Sequence, residues 1–406
     1  MKSAASRRPV VAGALGCIAF VLIGWGGLLV PSLIRSIKDA YDQSDAGIGV
    51  YYFVYAAAYA TGSLGGGLVT ERVGRRAVLS VAAALYGVGL VALGVAPTWV
   101  VLLVAGIPAG LGAGAIDGGI NGLILDLYPT GRGRALNLLH LFFSLGALAA
   151  PLAVGRLVES GVAWGTILVG TGLVALVLAG LFIVISMPGG RRVGSATEDP
   201  SSGEAAGRRL HLATPLLLLG IAIACYVASE VGVSNWLVRF LEPAPLTTAT
   251  TALSLFWAGL TLGRLVAARI ADRFDHVRFA SVAALATAVA LVCAVLAPSL
   301  PLSIVLFAAA GFATGPVFPM IVAIGGDRYP DRAAAVSGFL TGAAVAGSIV
   351  YPPIMGFLSV TVGLTVAMFG SALLALACAA ALAMVGRLPP DAPVTREPAP
   401  IGATAG

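Results

Sequence analysis

The chain has 406 residues, of which 59% are hydrophobic and 10% charged, with a mean hydropathy of +0.98 and a formal net charge of +6. Soluble domains carry about a quarter charged residues, so there is too little polar surface here to coat a particle in water, and the solvent that fits is lipid. Nucleic acid is excluded as a partner because the basic residues cluster in turns between apolar runs and form no stripe on a polar helix face.

Twelve apolar runs follow one another, at about 10–32, 46–69, 77–96, 99–124, 135–158 and 162–186, then 213–241, 246–270, 278–297, 301–325, 334–359 and 364–386. A helical crossing needs about 20 apolar residues. Their Gly, Ala and Leu content predicts packed helices, since barrel strands read as alternating segments of about ten residues. The first run follows Arg7 and Arg8 as a signal peptide would, but it has the length of a span and no convincing cleavage site, so it is read as retained. Residues 188–212, rich in Gly, Ser and charge, read as a solvated linker, and the Pro-rich stretch 387–406 as a disordered tail. The expected organisation is an all-α membrane protein of twelve transmembrane helices in two pseudo-symmetric bundles of six. The first covers 1–187, the linker 188–212, the second 213–386 and the tail 387–406.

Nineteen of the 24 Lys and Arg fall at the N-terminus, the even-numbered turns, the linker and the tail, against Arg35, Lys38, Arg156 and Arg239 on the other side and Arg264 within a span. The positive-inside rule makes the first side cytoplasmic. The expectation is a multi-pass protein of the cytoplasmic membrane with both termini inside. Cys17, Cys225, Cys293 and Cys378 each lie within an apolar run, without CxxC spacing, and are read as small core residues with no role in a metal site or disulfide. A repeat is also visible. Adding 201 takes Gly62 to Gly263, Arg72 to Arg273, Gly110 to Gly311, Gly114 to Gly315, Asp126 to Asp327, Tyr128 to Tyr329, Gly146 to Gly347 and Pro151 to Pro352, and takes Glu71 to Asp272. Two halves related without inversion are expected of an alternating-access carrier with its site between them.

Chemistry is expected where polar groups interrupt the apolar runs, because a charge at membrane depth is costly and usually faces a wet cavity or a partner. Asp117 and Asn121 are four apart on one helical face. Gly110, Gly114, Gly118 and Gly122 form a ridge that admits a neighbouring helix. Asn137, His140 and Arg264 complete the set in the cytoplasmic half, and Asp117 is expected to approach Arg264 across the cavity in one conformation. Asp117 and Glu230 are both candidate proton carriers. His140 is read either as a third titrating group or as a neutral helix contact. In Glu230 to Trp236, the acid, Asn235 and the indole of Trp236 suit a sugar's hydroxyls and apolar face; Trp236 reads equally well as an interfacial belt residue. Trp25, Tyr55 and Tyr59 are weaker candidates, with packing favoured.

The turn Gly67-Leu-Val-Thr-Glu71-Arg72-Val-Gly74-Arg75-Arg76 resembles the G-x-x-x-D-R-x-G-R-R signature of the major facilitator superfamily, with Glu71 where Asp is usual. A weaker copy, Ala268-Arg-Ile-Ala-Asp272-Arg273-Phe-Asp275, lacks the glycine and the paired arginines. Asp117-Gly-Gly-Ile-Asn121, Ala135-Leu-Asn137-Leu-Leu-His140, Trp257-Ala-Gly-Leu-Thr-Leu-Gly263-Arg264 and Gly315-Pro-Val-Phe318-Pro319 resemble the fucose permease and related sugar:proton symporters. That branch has a second acid in its first span, whereas none stands between Pro9 and Ile34 here. The resemblance implies a conformational latch in which Glu71 meets the positive end of the eleventh span and Arg75 pairs with Asp126. Arg72, Asp272, Arg273 and Asp327 are expected to do similar work.

The function expected is secondary active transport, with proton-coupled uptake of a sugar or similar small polar molecule. A drug or metabolite exporter of the same superfamily and a transport-inactive sensor or scaffold are the alternatives. No Walker pattern, HExxH or GxSxG with plausible partners is present, so neither an enzyme nor a bound cofactor is expected. The expected partners are substrate, protons and lipid, around a monomer.

Overall fold

The computed structural model describes residues 4–128, 132–185 and 214–388, so the linker 188–212 and nearly all of the tail lie outside the described residues. Among the described residues there are fourteen α-helices and no strand. The first seven are α1 (Ala4–Gly27), α2 (Leu29–Tyr41), α3 (Asp45–Val73), α4 (Arg75–Gly94), α5 (Trp99–Leu127), α6 (Arg132–Glu159) and α7 (Trp164–Val184). The rest are α8 (Thr214–Phe240), α9 (Leu246–Ile270), α10 (His276–Leu296), α11 (Leu300–Thr314), α12 (Val317–Arg328), α13 (Ala333–Thr361) and α14 (Leu364–Arg387). Polar caps start several of them: Ser44 accepts from the Gly47 amide at 3.2 Å and Asp275 from the Arg278 amide at 2.8 Å.

Eleven segments are long and apolar enough to cross a bilayer, with α1 joined to α2 and α11 to α12 as single crossings. The twelfth crossing is α3. It has 29 residues, but Tyr51, Tyr52, Tyr55, Tyr59, Thr61, Ser63 and its glycines lower its hydropathy, because one face is turned away from lipid.

Two expected spans are broken. The first runs on to Tyr41 and is interrupted after Gly27, where Leu28 N reaches Trp25 O in a tight turn at 3.2 Å. The Tyr86 hydroxyl fills the space beside Gly26, where an added Cβ would lie 1.6 Å from it. The tenth span breaks at Gly315-Pro316, since proline has no amide to continue the helical ladder.

The repeat holds in the packing as well as in the sequence. A Cβ on Gly62, Gly110 or Gly114 would meet the carbonyl of Leu111, Tyr55 or Tyr59 at 2.1, 2.5 and 2.0 Å. Gly263, Gly311 and Gly315 meet the carbonyls of Phe312, Phe256 and Leu260 in the same way, each pair displaced by 201 residues from its counterpart. Close backbone approach through glycine is thus how α5 seats on α3, and α11 on α9.

The bundles touch one another along α3 with α13, α6 with α9, and α2 with α8. Among the described residues, the hydrogen bonds and ion pairs that join them lie in the half nearest the α2–α3 turn, the end poor in basic residues. At the basic end, Arg75 pairs with Asp126 in the first bundle and His276 with Asp327 in the second. Cys293 corrects the reading of the cysteines, being exposed on the outer face of α10.

Candidate functional site

At the closed end, Asp45 sits at the first turn of α3 and is only 4% exposed. Its carboxylate accepts from Lys38, from Arg239 Nε at 2.9 Å and from Ser359 Oγ at 2.5 Å, tying α2 and α3 to α8 and α13. Arg35 of α2 donates to the carbonyls of Val238, Leu241 and Ala244 at 2.5 to 3.0 Å. The Val238 and Leu241 carbonyls lie at the negative end of α8, where a cation is favoured, and Ala244 follows in the turn beyond it. Tyr52 Oη donates to the Asn235 carbonyl at 2.9 Å, and its ring meets Trp236 edge-on at 5.7 Å.

Trp236 is therefore neither a belt residue nor a plate open to the cavity. It is 0% exposed and its Nε1 donates to Pro352 O at 3.1 Å, because the bundles close over it.

Beneath this seal lies a cavity of about 190 Å³ between the bundles. Tyr51, Tyr52, Tyr55 and Tyr59 form one wall, Gly26 and Gly27 at the α1–α2 break another, and Val231, Asn235 and Ser348 the side belonging to the second bundle. Tyr51 and Tyr55 are stacked at 6.1 Å, and Tyr55 and Tyr59 lie 6.5 Å apart. Pro352 lacks an amide four residues after Ser348, so the Ser348 carbonyl has no helical donor where it borders the cavity. Sequence reasoning ranked Tyr55 and Tyr59 low and passed over Tyr51 and Tyr52. Their spacing along one face of a low-hydropathy helix was the available signal.

Below the tyrosine wall the expected polar residues divide into two groups. Asp117 Oδ1 accepts from Asn121 Nδ2 at 3.0 Å, and the Tyr59 phenol is its other hydrogen-bond partner. Across the gap, Tyr226 Oη donates to Glu230 Oε2, and Arg264 Nη2 lies 4.0 Å from the same oxygen. The expected approach of Asp117 to Arg264 is absent from this conformation, in which Glu230 is the acid facing Arg264. His140 and Asn137 are exposed toward the gap, with His140 edge-on to Phe20 at 5.5 Å and within electrostatic reach of Arg264.

At the basic end, Arg75 Nη2 and Asp126 Oδ2 are 2.8 Å apart. Shifted by 201, this pair becomes His276 and Asp327, and those side chains meet at 3.1 Å. The weak second copy of the turn thus keeps its partner to Asp327 by placing His276 where the first has Arg75. Arg72 and Arg273 are exposed, and the side chains of Glu71 and Asp272 lie outside the described residues.

Two six-helix bundles related by direct repeat, sealed at one end around a polar gap, define an integral membrane transporter. The family model described as Major Facilitator Superfamily matches residues 14–244 and 218–404, and the chain belongs to that family. It is 28% identical over 407 aligned positions to a gentisate transporter of Corynebacterium glutamicum, covering 94% of this chain and 90% of that protein. Among solved structures, a bacterial homolog to the human lysosomal transporter Spinster, inward-facing and unoccupied, superposes with a TM-score of 0.79 at 16% identity, covering 94% of this chain and 97% of that one. The E. coli fucose:proton symporter superposes with a TM-score of 0.62 at 18% identity, covering 93% and 99%.

Proposed function

We propose that this protein is a proton-coupled carrier of the cytoplasmic membrane that takes up a small polar organic molecule by alternating access. With the basic end in the cytoplasm, the conformation described here is inward-facing, with its outer seal formed by Asp45, Arg35, Tyr52 and Trp236. Asp117 is the proton carrier. The observation that carries this is its set of partners: an intramembrane carboxylate held by the neutral groups of Asn121 and Tyr59, with no cation beside it among the described residues. Taking up a proton there breaks no ion pair, and a carboxylate beside a wet gap is placed for proton relay.

A sugar is the first substrate reading. Tyrosine hydroxyls, the Asn235 amide and Ser348 around the cavity supply hydrogen-bonding groups with ring faces between them, and the fold neighbour that transports fucose supports it. An organic acid is the second, favoured by the fixed cation Arg264 in the gap and by the relative described as a gentisate transporter. An exporter would use the same architecture in the opposite direction. Flux of labelled fucose, xylose and gentisate into proteoliposomes with an imposed inward proton gradient tests all of these. Gradient-driven accumulation of at least one of them is expected. Flux indifferent to the gradient would remove proton coupling, and net efflux down an opposing gradient would reverse the direction.

A further inference from the structure

The mid-span cation of α9 is the group that the tyrosine wall and Asp117 leave without a use. Arg264 is 29% exposed and faces Glu230, itself 12% exposed, across 4.0 Å, beyond hydrogen-bonding distance. Its planar guanidinium suits bidentate capture of a carboxylate; in this conformation it hydrogen-bonds the Tyr226 hydroxyl and stays at long contact from Glu230, so no carboxylate fills its fork. Glu230 has a second anchor, the Tyr226 hydroxyl. It therefore keeps a hydrogen bond when the cation turns elsewhere.

Seven residues earlier on the same face of α9 is Trp257. It is 5% exposed, with an indole N–H that has no hydrogen-bond partner and a ring 6.0 Å from Phe143 of the opposite bundle. A buried donor left unpaired is costly and marks a place for an acceptor. The two sites are about 10 Å apart along the helix.

We propose that Arg264 and Trp257 form a subsite for a small organic carboxylate, whose anionic end displaces Glu230 from Arg264 while a hydroxyl or carbonyl further along accepts from Trp257. A neutral polyol satisfies Trp257 but gives Arg264 nothing better than Glu230, so the subsite selects the acid. This rests on the carrier reading only in taking the gap between the bundles as the substrate's route.

The test is calorimetric binding to the purified full-length protein in detergent, without any gradient, comparing meta-hydroxybenzoate with its neutral isostere meta-hydroxybenzamide. The acid is expected to bind about tenfold to a hundredfold more tightly. Glu230→Gln should tighten the acid and leave the amide unchanged, because it removes the competing anion. Arg264→Gln should make the two ligands equivalent, Arg264→Lys should keep a preference for the acid, and Trp257→Phe should weaken both. Equal binding of acid and amide, no binding of either, or a Glu230→Gln variant that loses the acid overturns the subsite. Discrimination between the two ligands without gradient-driven flux in proteoliposomes would count against proton coupling and leave the subsite standing.

Discussion

Asp117 and Arg75 show how differently one charged side chain can be used in this membrane protein. Asp117 has only neutral partners, so Asp117→Asn should preserve its hydrogen bonds while removing the titrating group. Concentrative uptake under a proton gradient should then fall to background, with exchange of substrate across a membrane without a gradient retained. Normal accumulation by that variant would take the proton away from Asp117. Arg75 is buried and bonded to Asp126 within one bundle, and the same bond exists between His276 and Asp327 in the other. Both lie far from the cavity. Asp126→Asn is expected to lower the maximal transport rate several-fold with little change in apparent affinity, as measured from initial rates over a substrate series. A changed affinity at constant maximal rate would contradict that placement.

Helices in this chain are positioned by missing side chains as much as by those present. At Gly114 an added methyl group would lie 2.0 Å from a backbone carbonyl of α3, which has no flexible end to give way. Gly114→Ala should therefore cost about 1 to 3 kcal/mol or more, seen as a lower thermal midpoint and loss of monodisperse protein in detergent. Gly170→Ala, where nothing stands within 4 Å of the new atom, should be neutral or slightly stabilising. Equal effects at the two sites would rule out helix packing as the role of the ridge. Most spans were legible in the sequence because charged turns interrupt the apolar runs, and the caps Ser44, Thr98 and Asp275 appear only in the structure. The breaks after Gly27 and at Gly315-Pro316 were not, since Gly and Pro are common inside membrane helices and an apolar run gives no sign of where its ladder stops. The partner of Asp327 was missed because the second turn lacks the paired arginines of the first, and only the offset of 201 points to His276.

For the molecule as a whole, the decisive feature is that side chains bond the two bundles together at the end poor in basic residues. The residues responsible, Arg35, Asp45, Arg239 and Ser359, are spread over more than three hundred positions, and each reads in sequence as an ordinary charge or hydroxyl beside a turn. Their meeting was therefore beyond sequence reasoning, although the few basic residues on the poor side were the ones to examine. Arg35→Ala should shift the population toward a state open at that end. Spin labels placed at the α2–α3 and α8–α9 turns should report a longer distance, and an unchanged distribution would show that apolar contacts alone hold the seal. The two clamps also differ in how they tolerate sequence change. Asp45 depends on three side chains from separate helices, and altering any one of them weakens it. Arg35 grips main-chain oxygens that every amino acid supplies, so side-chain substitutions at Val238, Leu241 and Ala244 leave the acceptors in place. Variation on the far bundle can proceed beneath that guanidinium with the closure intact, and loss of Arg35 itself is the route by which mutation removes the clamp.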